Sequence, residues 1–312
     1  MQTKPHKPVE LQSSLDESVN FVWDQPDQGY FESRYVRRSQ EKVVVYLSSQ
    51  SGCAMGCRMC HLTATKQTTL RNATVDELLG QASHVLDWYA SHCPQAERVH
   101  FNFMARGEPL SNPLILGNAE SLTRSLEGLG HQLGLRAEVL ISTIMPRGMR
   151  DRSLPELFGS ARPRIYYSLY SIDPEFRKRW LPRTLDPQLA LAKCAEYQRE
   201  GGTVRLHWAF IEGENDDAAT IERIANAVHE AGLHPDINVV RYNPFGSEHG
   251  REPPAKIIEE RVKQLSGYLP SAQIKIIDRI GFDVQASCGM FVPAELTVSA
   301  DQSESQFGRS AQ

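Results

Sequence analysis

What the sequence lacks narrows its class. No stretch approaches the roughly 20 uncharged apolar residues that a membrane-spanning helix needs, so no membrane association is expected. The opening MQTKPHKPVE carries no apolar signal segment, which points to the cytoplasm. Six cysteines in 312 residues are too few for a disulfide scaffold. Basic charge is not in excess either: 34 Lys and Arg stand against 38 Asp and Glu, for a net charge of −4. That balance excludes a protein that holds nucleic acid by bulk charge, though not one with a local basic groove. What remains is a globular protein, 40% apolar and 23% charged.

Apolar runs alternate with amphipathic stretches along the chain. Strands are predicted at 42–47, 98–103, 137–142, 164–169, 204–210, 237–242 and 273–277. Helices are predicted between them at 75–91, 118–129, 187–200, 218–231 and 255–267. Asp186 before Pro187 reads as an N-cap followed by proline at the first helical position. This alternation predicts an α/β fold, a parallel sheet curled into a partial (β/α)6 barrel. Residues 1–40 are expected to be an N-terminal extension, of which 1–28, with Pro5, Pro8 and Pro26, read as an irregular arm. The core is expected over 41–290, and 291–312 as a disordered tail.

Three of the six cysteines crowd into one C-x3-C-x2-C motif, Cys53, Cys57 and Cys60, just after the first predicted core strand. Barrel enzymes place catalysis on such loops. Three thiolates hold three irons of a [4Fe–4S] cluster and leave the fourth open. A zinc site with His61 as fourth ligand is the poorer reading, because His61 is adjacent to Cys60 and paired C-x-x-C knuckles are absent. Cys93 and Cys194 lie on helical patterns and read as structural.

The motif resembles that of radical S-adenosylmethionine (SAM) enzymes. The segment Ser48-Ser49-Gln50-Ser51-Gly52-Cys53 is similar to the cluster loop of the ribosomal RNA adenine methylases of the RlmN/Cfr type. Further segments match that family in order: Gly107-Glu108-Pro109-Leu110, Ile141-Ser142-Thr143, Ser168-Leu169-Tyr170, Tyr242-Asn243-Pro244-Phe245, and Asp283 to Gly289 around Cys288. The resemblance spans residues 32–290. It implies a cluster on Cys53, Cys57 and Cys60 and SAM beside Gly107, Glu108, Ser142, Ser168, Leu169, Tyr170 and Asn243. It also implies an electron donor such as flavodoxin or ferredoxin. The residue types suit these roles. Glu108 can accept from the methionyl ammonium, Gly107 lets backbone approach the cofactor, and Ser142, Ser168 and Asn243 are small hydrogen-bonding groups at strand ends.

In the resembled family one SAM methylates the cysteine matched by Cys288. A second SAM is cleaved to a 5′-deoxyadenosyl radical, which draws hydrogen from that methyl group, and the carbon then adds to the base. Two departures stand out. Where the family has a second, resolving cysteine seven residues before the cluster motif, this chain has Tyr46, and a phenol forms no disulfide. Before its first core strand this chain has about forty residues, too few for the family's N-terminal helical RNA-binding domain. Glu32 lies near the position of a family glutamate proposed as a base. The acceptor is therefore expected to be RNA or a nucleotide-like small molecule. Methyl or related carbon transfer through Cys288 stands beside two alternatives: a biosynthetic enzyme using Cys288 as sulfur or hydrogen donor, and a non-catalytic iron–sulfur RNA-binding or sensing protein. A basic run (Arg147, Arg150, Arg152, Arg162 and Arg164, then Arg177, Lys178, Arg179 and Arg183 beside Trp180) suits phosphate contacts or a solvated face equally.

Overall fold

Among the described residues, ten strands form one sheet in sequence order, β1 to β10. The structure, a computed structural model, describes residues 7–25 and 29–293. Strands β1 (Val9–Gln12), β2 (Val19–Gln25), β3 (Gly29–Ser39) and β4 (Lys42–Tyr46) pair antiparallel. From β4 onward the pairing is parallel through β5 (Arg98–Asn102), β6 (Arg136–Thr143), β7 (Arg164–Ser168), β8 (Val204–Ala209), β9 (Asp236–Val240) and β10 (Ile274–Ile277). All seven strands predicted for the core are present, each within two residues of its expected ends. One cavity is lined by side chains from each of these seven strands, so the sheet curls into an incomplete barrel around a lumen.

Local chemistry sets these elements. The helix Val75–His92 opens on a reciprocal capping box between Thr74 and Glu77, a device that satisfies two orphan amide donors. Asp186 accepts from the Leu189 amide ahead of Pro187, as its sequence predicts. In the strands, alternate residues face opposite ways. Val43, Val45, Phe101, Val139, Leu206 and Val239 are buried in the main core, with Leu78, Leu122, Ile221 and other helix residues. Their neighbours one step along face the lumen, where His100, Asn102, Tyr166, His207 and Asn238 gather.

Within the stretch 1–28 expected to be an irregular arm, residues 9–12 and 19–25 are strands, and 29–39 follow as a third. All three are continuous with the barrel sheet. The stretches VNFVWDQ and GYFESRYVRRS are rich in β-formers, and Phe21 and Tyr35 bury their rings against Trp88, with centroids 5.9 and 5.1 Å apart. The expected tail lies mostly outside the described residues. Those of it that are described, with the segment before them, run across the gap between the last parallel strand and β2–β3. There Asp283 accepts from Ser13 Oγ at 2.7 Å, Gly281 N donates to Asp16 at 2.7 Å, and Asn20 donates to the Val284 carbonyl at 3.0 Å. A non-strand segment carrying Cys288 thus seals the side of the barrel. Among the described residues, no helix is long and apolar enough to cross a membrane.

Candidate active site

The loop after β4 carries Cys53, Cys57 and Cys60, all free thiols, and it is held from several sides. Cys53 N donates to the Gln67 carbonyl at 3.1 Å, Arg58 N to the Trp180 carbonyl at 3.0 Å, and His61 N to the Gly289 carbonyl at 3.0 Å. The last bond ties the three-cysteine loop directly to the residue after Cys288. A Cβ on Gly52 would lie 2.3 Å from the Thr69 carbonyl oxygen, so only glycine fits there. Burial pushes the Cys53 thiol up to about 12 and raises Cys57 and Cys60 as well; neighbouring sulfurs raise Cys53 and Cys57 further. His61 Nε2 instead meets the Asn243 carbonyl at 3.1 Å.

Beside this loop, Glu108 is buried after β5. It accepts from Leu110 N at 3.0 Å, Thr143 Oγ1 at 2.6 Å and Ile144 N at 3.0 Å. Burial still raises it to about 7. A carboxylate offers about four acceptor sites, so these three bonds leave one for an incoming cation. Gly107 has φ +93°, and a Cβ there would sit 2.6 Å from both Gln50 Cβ and Ser49 Oγ. Glycine is therefore required there for packing against the three-cysteine loop. Ser142 donates to Asn102 Oδ1 at 2.7 Å. Ser168 ends β7. Leu169 is buried in the core and contributes only its carbonyl, which Arg177 holds. Tyr170 adopts a left-handed φ of 59°; burial holds its phenol far up, and the Cys288, Cys57 and Cys60 sulfurs push the same way.

Cys288 and Tyr46 line the same lumen. Asn243 steadies the Cys288 loop, its amide donating to Ser287 Oγ at 3.0 Å and to the Cys288 carbonyl at 2.8 Å. Its Oδ1 is buried without a partner. His207, which the motifs did not single out, places Nε2 3.9 Å from Cys288 Sγ. The tyrosine hydroxyl accepts from Arg38 at 3.3 Å.

Glu32 is not placed to act as a base. It is fully buried, and its oxygens accept from Arg106 at 2.8 Å, Arg34 at 2.9 Å, Asn20 at 2.9 Å and Val292 N at 3.0 Å. Four donors fill its four acceptor sites. Arg34 also donates to the Met290 carbonyl at 2.8 Å, so this cluster clamps the Cys288 segment. The basic run is largely engaged. Arg177 donates to the Leu169, Ser171 and Leu185 carbonyls and to Thr184. Arg179 and Arg164 pair with Glu214 and Glu138, and Arg183 holds the Ala54 carbonyl.

No protein-family model matches the chain. It is 28% identical over 294 residues to the dual-specificity RNA methyltransferase RlmN of Oleidesulfovibrio alaskensis, covering 92% of this chain and 78% of that one. The RlmN of Nitratidesulfovibrio vulgaris is 29% identical over 301 residues, with 92% and 77% covered. The chain is a relative of RlmN. Among solved structures, a radical SAM methyltransferase from Sphaerobacter thermophilus superposes with TM-score 0.75 at 22% identity, over 93% of this chain and 82% of that one. Streptococcus suis SuiB bound to S-adenosylmethionine gives 0.54 at 11% identity, over 79% and 52%. The RlmN similarity marks the chain as a methyltransferase-like enzyme, and these structures share its barrel fold.

A radical SAM enzyme needs a [4Fe–4S] cluster and SAM, and the residues here suit both. No three His, Cys, Asp or Glu among the described residues converge on a single-ion site. Cluster thiolates each bind a different iron, so they stand further apart than the ligands of one ion. Three free thiols on one braced loop supply the donor set for three irons, and the buried carboxylate beside them has an acceptor site open for an ammonium group.

Proposed function

We propose that this chain is a radical SAM enzyme that transfers a methyl-derived carbon to a nucleotide-type acceptor through Cys288. The observation that carries this reading is the position of Cys288: its sulfur lines the lumen, while the next residue is hydrogen-bonded to the three-cysteine loop. Cys53, Cys57 and Cys60 would hold the cluster, and Glu108 would accept from the ammonium of SAM. Bound there, a reduced cluster supplies the electron that cleaves SAM. The chain's own residues do the rest. Asn243 orients the Cys288 loop, and the Glu32–Arg34–Arg106 cluster fixes its far end. His207, adjacent to the sulfur, is placed to receive the thiol proton.

Incubation of reduced, cluster-loaded protein with methyl-labelled SAM tests this. Label should appear on Cys288, located by peptide mass spectrometry, and Cys288→Ala should carry none. If Cys288 stays unlabelled yet Cys288→Ala still abolishes product, the residue is a sulfur or hydrogen donor and methyl carriage is wrong.

A further inference from the structure

The lumen beneath Cys288 encloses a cavity of about 150 Å³, and its wall changes character along the barrel axis. Toward the C-terminal ends of the strands it combines neutral Tyr46, Asn102 and His207 with Arg34, Arg241 and Arg279, whose charges are already met by Glu32 and Glu252. Toward the N-terminal ends it is lined by Arg38, Lys42, Arg205 and Lys275. Negative charge there is sparse. Asp236 pairs with Arg205 at 2.6 Å, and the one acidic residue lining the cavity is Asp278. Arg38 donates to the Asp278 carbonyl, not its carboxylate. Lys42 and Lys275 have no side-chain hydrogen bond or ion pair among the described residues. Burial lowers Lys42, and Arg38, Arg98, Lys275 and Arg205 lower it further. His207, 5% exposed, leaves its Nδ1 buried without a partner in the same wall. Gathering cations this closely costs Coulomb energy unless an anion offsets it.

We propose that this floor binds the phosphoryl group of a small phosphate ester, and that this ester is the acceptor held under Cys288. The proposal rests on the reading of Cys288 given above and names its substrate class. Cations approaching from β3, β4, β8 and β10 suit a tetrahedral dianion with several free oxygens better than a planar carboxylate. A cavity of about 150 Å³ gives room for a small ester. Arg38, Lys42 and Arg205 are half-buried and Lys275 is exposed, so the floor is open to solvent on that side and an anion can enter there.

The test is calorimetric titration of inorganic phosphate into the full, cluster-loaded chain at fixed ionic strength. One saturable site is expected. The double variant Lys42→Ala, Lys275→Ala should bind at least tenfold more weakly, while Lys42→Arg should retain binding. Because removing cations from a crowded floor relieves repulsion, the double variant should fold; phosphate should raise the melting temperature of the wild type and not that of the variant. Absence of saturable binding, or equal binding by the double variant, overturns the proposal. So does displacement of phosphate by an RNA hairpin at concentrations where a mononucleotide fails, because the phosphoryl group would then come from RNA. Label transfer to Cys288 is followed in the same wild-type preparation. Labelled Cys288 without phosphate binding sinks the anion site alone, whereas phosphate binding with unlabelled Cys288 sustains the site and sinks the carrier step.

Discussion

Cys288 sits where its sulfur stays protonated. Burial pushes its thiol up to about 11, against the pull of Arg34 and Arg38. Its neighbour His207 is driven the other way, to about 4, by burial and then by Arg38 and Arg205. At neutral pH the pair is therefore a thiol beside a neutral imidazole, not the ion pair of an activated cysteine nucleophile. Attack on a methyl donor then depends on proton removal at the moment of reaction, with His207 Nε2 positioned for it. Alkylation by iodoacetamide measures this directly. Since thiolate is the reactive form, the rate at Cys288 should climb about tenfold per pH unit from 7 to 10. Peptide mapping of the modified cysteine gives that rate, and a plateau by pH 8 would show an activated thiolate instead.

Among the elements, the least regular one depends most on distant partners. The segment that carries Cys288 is secured by Glu32, Arg34 and Arg106, all buried. Burial alone would raise Glu32, but the two guanidiniums outweigh it and hold the carboxyl below its ordinary value. Removing one partner of a buried ion pair strands the others and costs about 3–5 kcal/mol. Glu32→Gln should therefore lower the melting temperature and open the 278–292 segment to proteolysis. The pH dependence follows in sign. A lowered folded pKa stabilises fully above the ordinary glutamate value of about 4.3 and is lost as pH falls through the folded value. Wild type should thus lose more stability between pH 5 and pH 3 than Glu32→Gln does, measured by urea unfolding; equal losses would remove Glu32 from the acid response. None of this cluster was legible in the sequence, because Glu32, Arg106 and Val292 meet only through the fold. The barrel strands were legible, since β-branched runs bounded by capped helices mark them. The polar lumen was half legible. Arg98, His100 and Asn102, like Arg205 and His207, fall on every second residue, a pattern that also describes a strand with one face in solvent. Only the curl of the sheet turns that polar face inward.

At the scale of the whole molecule, the lumen joins two walls built from opposite ends of the chain. One is β4, ending in Tyr46; the other is the C-terminal segment with Cys288, and both line the same space. In the resembled methylases a second thiol occupies the position of Tyr46, and there it releases the carbon from the carrier cysteine as a disulfide forms. Here the phenol is tethered to Arg38 and offers no such exchange. A carbon carried on Cys288 and joined to its acceptor would then remain attached, and the enzyme should accumulate a covalent adduct at about one per chain. Tyr46→Cys supplies the missing thiol. The side chain borders the lumen rather than the main core, so the substitution should leave the barrel intact. Intact-protein mass spectrometry after reduction with SAM and acceptor should show the adduct in wild type and its loss in Tyr46→Cys. In that variant a disulfide between the introduced thiol and Cys288, together with free product, should take the adduct's place. Should wild type turn over repeatedly with no adduct, and Tyr46→Cys release nothing more, the product leaves without a second thiol. Cys288 would then deliver hydrogen or sulfur to the acceptor instead of carrying its carbon.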